Sequence, residues 1–301
     1  KTRVITYRIA GHMEQRIAEH EKSLAVTFTR KAAGEMKERI LRLLSGQHQG
    51  ALPYSGTFHS FGALLLRKEG QRLGLPVGFS IYDPDDGLHV VKEVMDDLKI
   101  DKKQYNPQTV LGNISSSKNE LVSPDEYRTF VQGPFDEVVS EVYPRYEETL
   151  RARGAVDFDD LQMLPLKLLQ EFPEVKKKYN DVYQFVMVDE YQDTNQVQYQ
   201  LVKSLVNSHK NICVVGDDDQ GIYSWRGATI KNILSFERDF PGAKVIRLEQ
   251  NYRSTANILR AAHAVISNNN ERAQKSLWTS EGEGVRLSLY EARNEKDEAT
   301  Y

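Results

Sequence analysis

Two adjacent carboxylates, Asp189 and Glu190, close a short apolar run, Phe185 to Val188, inside the stretch Gln-Phe-Val-Met-Val-Asp-Glu-Tyr-Gln-Asp-Thr-Asn at 184–195. The run holds two β-branched residues and no turn former, so it reads as a strand buried on both faces. Acids at the mouth of such a strand are costly unless a cation meets them, and a hydrated divalent ion is the natural partner. The carboxyl ends of strands in an open parallel α/β sheet are also where ligands bind. One acid can hold the metal while the other orients and deprotonates a water. That is half of a nucleotide hydrolysis site.

The other half needs a phosphate-binding group. Lys1-Thr2, just ahead of a helical apolar spacing (Val4, Ile5, Ile9, Met13, Ile17), matches the end of the phosphate loop G-x-x-x-x-G-K-[ST]. The pair alone is most often solvated surface and gains weight only from the segments downstream of it. The loop glycines do not precede it, so the expectation is a chain that starts inside its phosphate cradle.

Two further segments carry chemistry. Asn211 to Gly216 reads as a buried strand and runs into Asp217-Asp-Asp-Gln220-Gly-Ile-Tyr223-Ser-Trp225-Arg226-Gly. Gln220 can donate to a phosphate oxygen, and Tyr223 and Trp225 can offer π-faces to unpaired bases; packing in the core is the competing role for the two rings. Such a segment could touch a nucleotide at one end and a nucleic-acid strand at the other. The strand expected at 244–248 ends in Glu249-Gln-Asn-Tyr252-Arg253-Ser-Thr. There Arg253 could neutralise charge on a transferred phosphoryl group, and Tyr252 could stack on a purine.

The elements that must position these groups can be read from patterning. A strand is expected at 23–28, ending in Phe28, which is either a core aromatic or a stacking platform. A helix comes next, with Thr29 as N-cap and Ala33, Met36, Ile40 and Leu44 on its buried face. His59, in Thr57-Phe-His-Ser-Phe61, has no His or Cys at ligand spacing, which argues against zinc. From about 76 to 155 the pattern is of helices broken by Pro84, Pro107, Pro124 and Pro134, a mostly helical insertion. Within it the polar segment 114–119 could contact phosphates or be a solvated loop. Lys176 to Lys178 reads as a solvated helix end, and a last strand is expected at 284–290.

The 301 residues are 40% hydrophobic and 28% charged with a formal net charge of −3, so strand binding would have to come from a local patch or from stacking. The single cysteine, Cys213, is expected in the core and fits a reducing cytoplasm. No run of about 18 apolar residues suggests a membrane span, and the first residues do not resemble a signal peptide.

In order along nearly the whole chain, these segments resemble the superfamily 1A DNA helicases of the UvrD/Rep/PcrA type. Lys1-Thr2 is similar to the end of motif I, 24–33 to motif Ia, 57–61 to the next, 188–193 to motif II, 215–228 to motif III and 250–255 to motif IV. The resemblance implies an α/β fold, a RecA-like P-loop NTPase domain (1–60 and 171–250) interrupted by a helical insertion (61–170). A truncated second RecA-like domain would occupy 251–301.

The resemblance also implies roles. Lys1 would bind the β- and γ-phosphates of ATP, and Thr2 with Asp189 would hold Mg²⁺. Glu190 would activate water, Gln220 would sense the γ-phosphate and Arg253 would stabilise its departure. Arg3 and Tyr252 would sandwich the adenine. Phe28, His59, Tyr223 and Trp225 would line a track for single-stranded DNA, with Arg226 linking track and ATP site. The implied activity is ATP-driven 3′-to-5′ translocation and unwinding at duplex junctions, in DNA repair or replication restart, alongside repair or replication proteins. Motifs V and VI are missing, so the 301-residue piece alone is expected to be a weak ATPase unable to unwind. A module binding single strands or a partner without hydrolysis, and the motor part of a helicase–nuclease, are the alternatives.

Overall fold

Short apolar runs bracketed by turn formers become the strands of a four-stranded, all-parallel sheet in the order β2-β1-β5-β6. These are β1 (Ser23–Thr27), β2 (Tyr54–Thr57), β5 (Phe185–Val188) and β6 (Ile212–Val214). The computed structural model describes residues 1–15, 17, 22–44, 53–206, 210–270, 272, 273 and 275–301, with the Arg226 side chain excepted. β1 is buried at all five positions, as a central strand covered on both faces must be. Val26 lies opposite Val188, and Val188 opposite Val214, so the carboxyl ends of the three strands fall in register.

One face of the sheet is covered by α1 (Thr2–Glu14) and α2 (Arg30–Leu43). Ile5, Ile9, Met13, Met36 and Ile40 pack there against Ala25 and Met187. The helical spacing at the N-terminus is therefore real, but its face is rotated. Thr6 and Ala10 are buried, whereas Val4 and Ile17 lie outside. Thr29 caps α2 as its sequence position requires, accepting a hydrogen bond from the Ala32 N–H at 3.1 Å.

α3 (Phe58–Glu69) starts in a capping box of Thr57 and Ser60. It crosses α8 (Asp160–Glu171) at Gly62, where a Cβ would stand 1.6 Å from the Leu161 carbonyl oxygen. Only glycine admits that approach.

Between them lies the insertion: α4 (Pro84–Asp97), α5 (Pro107–Asn119), α6 (Pro124–Tyr127) and α7 (Pro134–Ala152), with a minimal parallel pair, β3 (Ser80–Ile81) and β4 (Ala155–Val156). The four prolines expected to break helices instead start them, each the first residue of its helix. Proline has no N–H to lose there and its fixed φ suits the first turn. Val90, Val94, Val110, Ile114, Val142 and Tyr146 are among the residues of the insertion's own core.

The polar segment 114–119 is the end of α5, and Lys118 is buried there at 1% exposure. Its ammonium meets Glu147 at 2.6 Å, Asp157 at 2.7 Å and Asp160 at 3.0 Å. These three carboxylates have the spacing of a cation site, and the lysine itself supplies the cation. The Lys176 to Lys178 run is in α9 (Pro173–Val182), and Lys178 pairs with the buried Glu69 at 2.6 Å rather than facing only water.

The chain divides into two compact units, Lys1–Ser235 and Phe236–Tyr301. In the second, the strands expected at 244–248 and 284–290 do not form among the described residues. A single bridge, Gln250 to Trp278, is the pairing found there among the described residues. Alternating apolar residues specify which side chains share a face but not a neighbouring strand. Without one, Val285 and Leu289 stand 85% and 96% exposed. Cys213 is a free, half-buried thiol at the sheet's edge strand.

Candidate active site and nucleic-acid surface

At the carboxyl edge of β5 the apolar run gives way to Asp189, 2% exposed, and the ladder continues through its N–H, which donates to the Val26 carbonyl at 2.9 Å. Thr2, the first residue of α1, donates its hydroxyl to Asp189 Oδ2 at 2.6 Å. Burial pushes the Asp189 carboxyl above the usual range, against the hydrogen bond from Thr2. Glu190 turns the chain sharply, at φ 51 and ψ 47. A non-glycine residue in that left-handed region costs about 1–3 kcal/mol and marks a position held by its surroundings.

A set of donors meets the Glu190 carboxylate. Lys1 Nζ donates to Glu190 Oε2 at 2.6 Å and to Gln220 Oε1 at 3.3 Å. Gln192 Nε2 donates to Glu190 Oε2 and to Asp193 Oδ2, both at 3.1 Å. Burial raises the Glu190 carboxyl, but the hydrogen bonds from Lys1 and Gln192 and the lysine's charge outweigh it and leave the group below its ordinary range. Asp193 is pushed up to about 6, by burial first and then by the charge of Glu190. One carboxylate is kept ionised and its neighbour is made reluctant to ionise.

Gln192 and Asp193 had no assigned role in the sequence reading, although they lie in the same motif as the acid pair. Gln192 joins the tips of two strands, because its Oε1 accepts the Asp217 N–H at 2.9 Å beyond β6. Gly216 makes room for it: a Cβ there would lie 2.8 Å from that same oxygen. Asp217 in turn accepts a hydrogen bond from Gln220 Nε2 at 2.5 Å. Lys1, Thr2, Asp189, Glu190 and Gln220, far apart in sequence, thus form one hydrogen-bonded cluster at the sheet's edge.

A row of rings leads away from it. Phe28, half-exposed at the end of β1, stacks on Tyr223 with centroids 5.4 Å apart and planes 25° from parallel; Tyr223 meets Trp225 at 6.3 Å. Trp225 is 72% exposed. His59, in the first turn of α3, lies 5.8 Å from the ring of Phe158, an exposed aromatic that sequence reasoning passed over. Its signal was an aromatic among three aspartates, a poor place for a core residue. Burial and the charge of Arg30 lower the His59 pKa, which favours the neutral ring.

Arg3 is exposed on α1, with its guanidinium 5.6 Å from the Tyr7 ring centroid. Arg226 ends the turn Ser224–Arg226, and its side chain lies outside the described residues. Tyr252 and Arg253 belong to the second unit. There Tyr252 is 75% exposed and donates to Gln250 Oε1 at 2.6 Å, and the Arg253 N–H donates to Asn251 Oδ1 at 2.9 Å.

A parallel sheet flanked by helices, with an amine, a hydroxyl and two carboxylates gathered at its carboxyl edge, defines an α/β domain of the phosphate- and nucleotide-handling class. A family model of the UvrD/REP helicase N-terminal domain matches residues 1–241, and one of the UvrD-like helicase C-terminal domain matches residues 246–301. The chain belongs to the UvrD/REP helicase family. It is 48% identical over all 301 residues to the ATP-dependent DNA helicase PcrA of Bacillus subtilis (strain 168). It is 46% identical to the proteins of that name from Leuconostoc citreum and Staphylococcus aureus (strain Mu50 / ATCC 700699). The chain spans 40% of the length of the first two of these relatives and 41% of the third. Among the described residues no helix is long and apolar enough to cross a membrane.

Proposed function

We propose that the full-length protein carrying this sequence is an ATP-driven DNA translocase and helicase that moves 3′ to 5′ on single-stranded DNA and opens duplex junctions. The observation that carries this reading is the cluster of Lys1, Thr2, Asp189, Glu190 and Gln220 at the edge of the sheet. The chain's similarity to ATP-dependent DNA helicases supports it. The direction and a role in repair or replication restart with its partner proteins rest on the motif resemblance, and a cytoplasmic location on the single cysteine.

The Thr2 hydroxyl and the Asp189 carboxylate are hard oxygen donors converging at 2.6 Å, the donor type Mg²⁺ takes, and a divalent cation would draw the raised Asp189 carboxyl back into its ionised form. When bound, the ion would neutralise charge on the β- and γ-phosphates. Lys1 exchanges its partner Glu190 for phosphate oxygens. Glu190, ionised, orients the attacking water and takes its proton as the new O–P bond forms and the bridging bond to ADP breaks. Gln220 stands beside Lys1 to donate to the γ-phosphate, and by the motif resemblance Arg253 would stabilise the charge on that phosphoryl group. By the same resemblance Arg3 and Tyr252 would hold the adenine.

Phe28, Tyr223 and Trp225 supply stacking faces for bases, with His59 as a further contact and Arg226 as the link back to the nucleotide. Gln220 and Trp225 share one short segment, so nucleotide state and base contact move together. We assign 1–60 and 171–250 to the motor domain, 61–170 to its insertion and 251–301 to the start of a second motor domain.

The test is strand displacement by the full-length protein on duplexes carrying a single-stranded tail at either end. ATP-dependent displacement from the 3′ tail alone is expected. Displacement from the 5′ tail, or binding without displacement, would contradict the reading, the latter in favour of a strand-binding module.

A further inference from the structure

α10 (Gln196–Leu205) comes after the acid-bearing strand and begins in a reciprocal cap. The Gln198 N–H donates to Asn195 Oδ1 at 2.8 Å, and the Asn195 N–H donates to Gln198 Oε1 at 3.2 Å. A peptide N–H has a proton to give and nothing to accept with, so the Gln198 atom facing it has to be the oxygen. The Gln198 nitrogen is then the atom lying 2.6 Å from Gln162, and an NH₂ there requires Gln162 to present its own oxygen. That leaves the Gln162 NH₂ against His59 Nε2, at 2.9 Å. An NH₂ donates, so this ring nitrogen must be bare and the ring's proton must sit on Nδ1. Asn195, Gln198 and Gln162 are all buried, so water offers no alternative partner that would let either amide turn over at low cost.

We propose that the Asn195 peptide N–H, acting through Gln198 and Gln162, fixes His59 as a neutral imidazole protonated on Nδ1, so that this residue meets nucleic acid as an N–H donor to a phosphate or base oxygen. Asn195 caps the helix that succeeds Asp189 and Glu190. The relay therefore ties the segment bearing the acids to a residue of the strand-contacting surface. Drawing Gln198 away from Gln162 frees the Gln162 amide to rotate, and His59 then loses its assigned tautomer. Gln198 and Gln162 are positioning residues that act through His59. The tautomer stands on the hydrogen-bond geometry alone, whereas its consequence for the motor rests on the function proposed above.

The experiment is two-bond ¹⁵N–¹H spectroscopy of the histidine rings in the full-length protein without DNA, with His59→Asn to assign the signal. It is paired with the ratio of DNA-stimulated to DNA-free ATP turnover. The wild type is expected to show a bare Nε2 near neutral pH. In Gln162→Glu the carboxylate can only accept, so a proton is expected to appear on Nε2 and the stimulation ratio to fall by about tenfold. Gln198→Met breaks the relay without touching the ring and is expected to give a mixture of tautomers, which keeps the test open if the buried glutamate prevents folding. A wild-type ring protonated on Nε2, or Gln162→Glu with an unchanged ring, overturns the relay. A changed tautomer with an unchanged ratio overturns its coupling to the motor. A wild type with the expected tautomer but no DNA stimulation supports the relay and contradicts the proposed function instead.

Discussion

The Lys1 ammonium lies 2.6 Å from a Glu190 carboxylate oxygen, so the phosphate-binding amine and the general base of the proposed mechanism neutralise each other. Phosphate oxygens and Glu190 therefore compete for one amine. Lys1→Met should weaken nucleotide binding by about tenfold or more, read by titration with a fluorescent ATP analogue. It should also act on the base. With the lysine gone, burial dominates and the Glu190 pKa rises, so the acid limb of any residual ATPase profile moves to higher pH. An acid limb that stays in place would show that Lys1 does not set the state of Glu190.

Trp225 separates stability from strand contact. Its ring is 72% exposed, so Trp225→Ala should change unfolding free energy by no more than about 0.5 kcal/mol. Stacked bases are worth about 1–3 kcal/mol each, so affinity for single-stranded DNA should fall roughly five- to hundredfold. Urea unfolding and fluorescence anisotropy measure the two quantities.

Lys118 holds the insertion to the chain's return into the sheet domain. Burial alone would lower its pKa, but the charges of Asp157, Asp160 and Glu147 outweigh that and keep it protonated well beyond the usual lysine range. Lys118→Met leaves Asp157 without its cation and Asp160 and Glu147 with Arg151 alone. Loss of one partner of a buried charge set costs about 3–5 kcal/mol, so the urea midpoint should fall accordingly.

Asp159, beside that cluster, sets a pH dependence of stability. Burial and the charge of Asp157 push its carboxyl up to about 6, against the hydrogen bonds from Ser115 and Asn119. Between its unfolded value of about 3.9 and that folded value, the folded chain binds the extra proton. Stability from this group is therefore present at low pH and lost as pH rises toward 6. Asp159→Asn should match the wild type near pH 3 and exceed it near pH 8. The expected gain is on the order of 1–2 kcal/mol, discounted because the group is partly exposed. Urea unfolding at the two pH values decides it.

The acid-bearing strand was legible because burial and chemistry are written side by side there: Phe185 to Val188 can only be interior, and Asp189 and Glu190 can only be at its mouth. The aromatic row was legible in its members but not in its geometry, since nothing local tells Phe28 that Tyr223 will stack on it. Lys118 was misread for the same reason. In sequence it is one polar residue among serines, and its three acids arrive only after a whole further helix. The relay of Asn195, Gln198, Gln162 and His59 joins residues of three helices and leaves no pattern along the chain. The prolines misled because a residue that ends one helix and a residue that begins the next look identical in a string.

The most direct test of the account is ATP hydrolysis by the full-length protein with and without single-stranded DNA, in the wild type and in Glu190→Gln. Strong stimulation by DNA that the substitution removes, with nucleotide binding retained, is the expected result and places the general base at Glu190. Hydrolysis indifferent to DNA, or equal in Glu190→Gln and the wild type, would contradict it.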